Sequence, residues 1–354
     1  MTVPDPAVAT QPVDFTAPWI EAALRMGGLP DARVGRVLGV TPIGTGQMAS
    51  CYRIELEANA VVPPTLIAKV AATGVSDVAA NAYRSELRFY EHVAPLIRAR
   101  LPRCHYAAMH ESGNPFVLLL EDVAPAVQGD QIAGCDERVA LSVVLALADV
   151  HGPMWEHRAL EVFGQSNAGD APDMLTAYLA WGTEEFIGRY GERLTVDDIG
   201  VLREFCLRLH GFRNNRPGPR SLLHGDYRLD NLLFVPDTDP PECIVVDWQT
   251  AGVGSPGHDL AYVISTSLTP PLRREHERAL VDAYRVRLAT HGPQVDSSIM
   301  WDNYRFGLGH GVIITVLGAV TATRTERGDD MFMAMASRIC SAIGDLETLA
   351  MYES

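Results

Sequence analysis

The chain has 354 residues, is 47% hydrophobic and 21% charged, and carries a formal net charge of −15. That length predicts about two domains, and the acidic balance argues against nucleic acid, whose phosphates demand clustered Lys and Arg. The six cysteines, Cys51, Cys104, Cys135, Cys206, Cys243 and Cys340, form no CxxC pair, which speaks against a zinc site or disulfide framework and predicts a reducing, cytoplasmic setting.

Residues 1–16 are acidic and Pro-rich, with no basic then apolar stretch, and predict a flexible tail rather than a signal peptide. Residues 17–27 have helical spacing, with Trp19, Ile20, Ala23 and Leu24 on one face and Gly27–Gly28 as the stop. From Val34 to Val70 the pattern turns to strands: VGRVLGV, SCYRIELEA and TLIAKVA, with Gly or Pro between them. A helix is expected over 77–93 and a buried strand at FVLLLEDV, 116–123, while Pro125 to Cys135 is punctuated like a linker. Helical patterns then dominate: ERVALSVVLALADVHGPMW, 172–190, 195–213 and the last ninety or so residues. One hairpin, NLLFV and CIVVDW around PDTDPPE, interrupts them. Phe306 to Ala322 is apolar but falls short of a membrane span of ~20 residues, so it reads as a buried helix with no membrane insertion. The expected fold class is α+β in two lobes, with 17–123 a small antiparallel sheet plus helix and 124–354 mainly helical.

The chemistry concentrates in residues 224–231, HGDYRLDN, and in Asp247, sixteen residues beyond Asn231 within IVVDWQ. An Asp, an Asn five residues later and a second Asp ending a β-rich run bring three hard oxygens to one point. Phosphoryl transfer needs that set: one carboxylate for a hydroxyl proton, an amide and a carboxylate for Mg²⁺ on the phosphates. Other constellations fail. GVGSPG lacks nucleophile-elbow spacing. The histidines show no HExxH pattern, so His151, His157 and His310 read as core or helix-end residues. Tyr178, Trp181, Trp301 and Tyr304 read as core before pocket.

HGDYRLDNLLF, VVDWQ and GSPGHDLAY resemble the aminoglycoside phosphotransferase and choline-kinase-like group, which shares the protein-kinase fold. IGTGQMASCYRIEL, RSELRFYEHVAP and LLLEDVAPAVQGDQIAGC extend the resemblance over nearly the whole chain, toward uncharacterised bacterial members near the ecdysteroid-kinase-like branch. It implies an enzyme using ATP and Mg²⁺ on a small-molecule alcohol acceptor, with 17–123 binding nucleotide and 124–354 holding the catalytic loop and acceptor site. Asp226 becomes the catalytic base, with Asn231 and Asp247 as metal ligands. His224 supports the loop, Asp259 is structural, and Arg228 and Asp230 are either loop salt bridges or solvent-exposed.

Lys69, the only lysine in the chain, closes a predicted strand 23 residues after Gly46 and can pair with the α- and β-phosphates, held by Glu86. The plainer alternatives are a solvated strand end for Lys69 and a surface helix pair for Glu86. Gly44 and Gly46 would let backbone N–H groups approach the phosphates, or merely form a turn. Glu121 to Val123 would be the hinge that bonds the adenine edge through the backbone. DWQT lacks the Gly of DFG, and GVGSPG leads straight to a helix, so neither flip-type regulation nor a protein substrate is expected. The rival reading is a catalytically inert, nucleotide-sensing binding protein of the same fold. The acceptor itself stays open.

Overall fold

The computed structural model describes residues 8–44, 49–71, 77–111, 115–164, 172–214 and 218–353. The chain divides into two compact units. The first takes residues up to Pro95, then Leu101–Pro125 and Asp247–Thr250; the second takes Leu96–Arg100, Ala126–Val246 and Ala251–Ser354.

The first unit opens with α1 (Ala17–Met26), started by the Thr16 hydroxyl accepting the Trp19 N–H and burying Ile20, Ala23 and Leu24. Five strands follow: β1 (Val34–Ile43), β2 (Ala49–Ala58), β3 (Thr65–Ala71), β4 (Cys104–Met109) and β5 (Phe116–Glu121). They form one antiparallel sheet in the order β1-β2-β3-β5-β4. Strands β3 and β5 are interior, and β5 accordingly reads as a continuous apolar run, buried from Phe116 to Leu120. Helix α2 (Asp77–Arg88) runs on through one π turn, Phe89–Val93. The core joins Ile20, Leu24, Ile54, Leu66, Val117 and Leu119.

Two features differ from the sequence expectations. Of the anticipated flexible tail, residues 1–7 lie outside the described residues, but Ala9 and Phe15 are buried in this core, and Asp14 accepts the Thr10 and Gln11 N–H groups at 2.8 and 3.1 Å. A short polar stretch with one well-placed aromatic docks because Phe15 packs edge-on to Trp19 at 5.6 Å. Strand β4 escaped notice because CHYAAM neither alternates cleanly nor runs apolar; its pairing with β5 makes it a strand.

In the second unit β6 (Val127–Gln128), β8 (Leu232–Val235) and β9 (Glu242–Val245) form a small antiparallel sheet. β7 (Ser221–Leu223) and β10 (Gly252–Gly254) form a two-stranded ribbon. These three-residue strands are too short to leave a periodic signal. The loop 224–231 therefore leaves one sheet and enters another, ending in a 3₁₀ turn at Leu229–Asn231. Around it lie α3 (Glu137–His151), α4 (Pro172–Tyr190), α5 (Val196–Asn214), α6 (Gly257–Ser267), α7 (Pro270–Ala289), α8 (Ser297–Thr321) and α9 (Glu326–Asp345).

Helices α6 and α8 nearly touch backbone to backbone: a Cβ on Gly307 would lie 2.0 Å from the Gly257 carbonyl oxygen. Helix α8 is long and apolar enough to cross a membrane by length and composition, but 61% of its apolar window is buried inside the fold. Tyr304 is buried as expected, whereas Tyr178 and Trp181 are not core: they are 42% and 51% exposed and stack on each other at 5.3 Å. Helical spacing alone cannot say which face of α4 meets a neighbour.

Candidate active site

In the first unit Lys69 lies on interior strand β3, and it is buried rather than a solvated strand end. Its Nζ donates to Glu86 Oε1 at 2.8 Å and to Asp247 Oδ1 at 2.8 Å. Burial by itself disfavours the ammonium, but Asp247 and then Glu86 outweigh it and hold the group above its ordinary range. Burial pushes the Glu86 carboxyl up, with Lys69 opposing and Asp247 reinforcing. One cation shared by two carboxylates leaves the cluster short of positive charge, so it suits a further cation.

Asp247 sits in the left-handed region, with φ of 65°. Aspartate tolerates this conformation better than most residues, and such strain concentrates at functional positions. The next residue, Trp248, is fully buried and stacks on Phe89 at 3.8 Å with planes 8° apart. The segment is thereby anchored without the glycine that a flipping loop would need.

Gly44 closes β1 with φ of 71°, a conformation few residues other than glycine adopt; Gly46 lies outside the described residues. At the expected hinge, the Glu121 N–H donates to the Arg103 carbonyl at 2.8 Å, and its carboxylate accepts the Arg103 N–H at 2.9 Å. The Val123 N–H has no acceptor among the described residues. Of these two N–H groups, then, Val123 has the one left to donate.

In the second unit the loop is hung on a buried carboxylate. Asp259, at the start of α6, accepts the His224 N–H at 2.7 Å and the Gly225 N–H at 3.1 Å. His151 Nε2 meets the same carboxylate at 3.3 Å. Burial alone would push the Asp259 carboxyl up, yet the His151 hydrogen bond and the neighbouring imidazoles hold it below its ordinary range. His224 in turn bonds the Val246 carbonyl through Nε2 at 2.9 Å, and His310 Nε2 meets the Gly225 carbonyl at 3.1 Å. Both histidines thus act as loop supports, His224 fully buried and His310 half-buried.

Asp226 projects from this support and is surrounded by donors. Arg228 Nε lies 3.0 and 3.1 Å from its two oxygens, Tyr262 donates its hydroxyl at 3.0 Å, and Asn231 Nδ2 donates at 2.9 Å. Asn231 Nδ2 also reaches the Asp226 carbonyl at 2.8 Å. With its nitrogen spent twice, Asn231 keeps an amide oxygen that has no partner among the described residues, the donor type Mg²⁺ takes.

The open question over Arg228 and Asp230 resolves to a part-buried salt bridge of 2.9 Å, with Arg327 clamping Asp230 at 2.9 and 3.0 Å. Tyr262 and Arg327 were not legible as site residues. Tyr262 could have been found from GHDLAY, since it follows Asp259 by three positions on one helix. Arg327 left no signal at all.

Among the described residues no group of three His, Cys, Asp or Glu side chains is placed to hold a metal. Mg²⁺ does not require one, because waters and nucleotide phosphates fill most of its shell.

A family model described as phosphotransferase enzyme family matches residues 39–295. Among solved structures, a Ralstonia eutropha protein provisionally described as an aminoglycoside phosphotransferase covers 94% of this chain and 97% of its own. It has 19% identity and a TM-score of 0.54. A microcompartment-associated aminopropanol kinase covers 85% of this chain and 90% of its own, with 14% identity and a TM-score of 0.53. These likenesses show the protein-kinase-like fold. Acyl-CoA dehydrogenase family member 11 of Pongo abelii is 28% identical over 163 residues, 44% of this chain but only 18% of that protein. The chain thus matches under a fifth of that curated relative's length. With the family model spanning well over half of its residues, the chain belongs to the phosphotransferase enzyme family.

Proposed function

We propose that the protein transfers the γ-phosphoryl group of ATP, with Mg²⁺, to a hydroxyl of a small molecule. The observation that carries this reading is Asp226, a carboxylate held by Arg228, Tyr262 and Asn231 beside an amide oxygen with no partner among the described residues. Asp226 orients the acceptor hydroxyl and takes its proton late in transfer. The Asn231 amide oxygen and the Asp247 carboxylate serve as metal ligands. Bound Mg²⁺ supplies charge neutralisation on the phosphates. Lys69, held by Glu86, pairs with the α- and β-phosphates, which the backbone at Gly44 approaches. The Glu121 carbonyl and the Val123 N–H take the adenine edge.

The aminopropanol kinase neighbour, by its name, uses a small alcohol, which supports testing small hydroxyl compounds as acceptors. The test is transfer from labelled MgATP to pooled alcohols, with Asp226→Asn alongside. Turnover should fall roughly 10²–10⁴-fold in the variant while nucleotide binding is spared. Retained turnover would remove Asp226 from its role. MgATP binding without transfer to any alcohol would favour an inert nucleotide sensor.

A further inference from the structure

Charge around the reacting end of the catalytic loop is balanced, and the balance names an acceptor class. Asp226, Asp230 and the neighbouring exposed Asp130 supply three negative charges; Arg228 and Arg327, bonded to the first two, and Arg338, which feels Asp130, supply three positive ones. Of the described acids on α4 and α9, Glu184 pairs with Arg203, Glu185 with Arg189, Asp329 with Arg324, Asp330 with Arg193 and Asp345 with Arg273. Only the exposed Glu326 has no arginine on it. On those two helices only Glu326 is left to meet a polyamine, whatever the acidity of the whole chain. Steering by net charge brings a cation to the surface, but a bound amine needs a local partner.

The unspent group is instead a donor. Arg228 gives Nε to Asp226, and Nη1 to Asp230 at 2.9 Å and to Met331 Sδ at 2.8 Å; its Nη2 has no partner among the described residues. In a planar guanidinium Nη2 shares an edge with Nε, so its open N–H points beside the Asp226 carboxylate. Around the sulfur that Nη1 meets the surroundings are apolar: Met331 packs with Tyr262 and the half-buried Ile314 and Phe332.

We infer that the acceptor is an alcohol uncharged at its reacting end, with an oxygen acceptor such as a carbonyl beside the hydroxyl and an apolar body. Arg228 Nη2 binds that second oxygen. This rests on the phosphotransferase reading above. In the step, the acceptor oxygen bonds to the γ-phosphorus as the bond to the β–γ bridging oxygen breaks; the hydroxyl proton goes to Asp226 and ADP leaves. Arg228 holds the neighbouring oxygen so that the hydroxyl meets Asp226, while Met331 and Phe332 cover the apolar part.

The test compares medium-chain hydroxy esters with amino alcohols of the same chain length, aminopropanol and kanamycin, using the full-length chain and MgATP. Wild type should favour the hydroxy esters over the amino alcohols by roughly tenfold or more in kcat/KM, the scale of one hydrogen bond to a charged group. Arg228→Gln should erase most of that preference through KM. Arg228→Lys, which keeps the charge but not the planar edge, should recover only part of it. A preference for amino alcohols or kanamycin, transfer to no member of the set, or an unchanged preference in a folded Arg228→Gln protein would overturn the acceptor class. Kanamycin phosphorylation lost in Asp226→Asn would do so while leaving the phosphotransferase reading intact. Failure to bind MgATP would end both.

Discussion

Replacing Lys69 by Met should destabilise the first unit strongly, and the loss should depend on pH. Lys69 Nζ sits 2.8 Å from each of two carboxylates, Glu86 being buried and Asp247 part-exposed. Removing one partner of a buried ion pair costs about 3–5 kcal/mol, because the remaining charge is left without compensation. Methionine fills much of the lysine stem, so the cavity contribution is small. The cost is limited by protonation. With Lys69 gone, burial and Asp247 push the Glu86 carboxyl further above its unfolded value, and each pKa unit of difference is worth about 1.4 kcal/mol.

A folded-state carboxyl raised in this way binds its proton more tightly than in the unfolded chain. The penalty is therefore small near the unfolded carboxyl pKa and grows as pH rises through the folded one. Urea unfolding followed by tryptophan fluorescence, which includes Trp19 and the buried Trp248, should show a loss of about 3–5 kcal/mol at pH 8. The loss should be clearly smaller at pH 5. Adding Glu86→Gln to Lys69→Met should recover most of it at pH 8. A loss below about 1 kcal/mol, no dependence on pH, or no recovery in the double variant would refute the reasoning, since all three follow from one uncompensated buried carboxylate.

Asp259→Ala removes the acceptor for two loop N–H groups and His151, and should cost about 3 kcal/mol or more in unfolding free energy. Because its folded carboxyl is held low, Asp259 stabilises above the unfolded pKa and loses that contribution as pH falls toward the folded one. Asp259→Asn should accordingly flatten the acid limb of a stability-versus-pH curve. Gly307→Ala would drive a Cβ against the Gly257 carbonyl and should cost about 2–3 kcal/mol by thermal or urea unfolding. Trp181→Ser, on an exposed face of α4, should change stability by less than about 0.5 kcal/mol. EDTA should abolish transfer, and added Mg²⁺ should restore it in a direct assay.

Much of the architecture was legible because it rests on local pattern. The continuous apolar run of β5 and the alternation in β1 to β3 announce a sheet, and the Pro- and Gly-punctuated hairpin announces β8 and β9. The elements that escaped notice were those whose stability is borrowed. Strands β7 and β10 have three residues each and exist because they pair with one another, and Phe15 docks because Trp19 waits for it. Tyr178 and Trp181 show the converse, since helical spacing cannot tell a packed face from a bare one.

At the candidate site the identities and spacings of Asp226, Asn231, Asp247, Lys69 and Glu86 were determined by the sequence alone, because a motif of fixed covalent length positions its own side chains. Partnership was decided only by the tertiary structure. Arg327 reaches Asp230 across 97 residues, Tyr262 reaches Asp226 across 36, and Lys69 meets Asp247 across 178. A hydrophobic pattern is indifferent to which arginine neutralises which acid. Within the second unit the packing of α6 and α9, and within the first the interior strand β3, bring those charges within bonding distance.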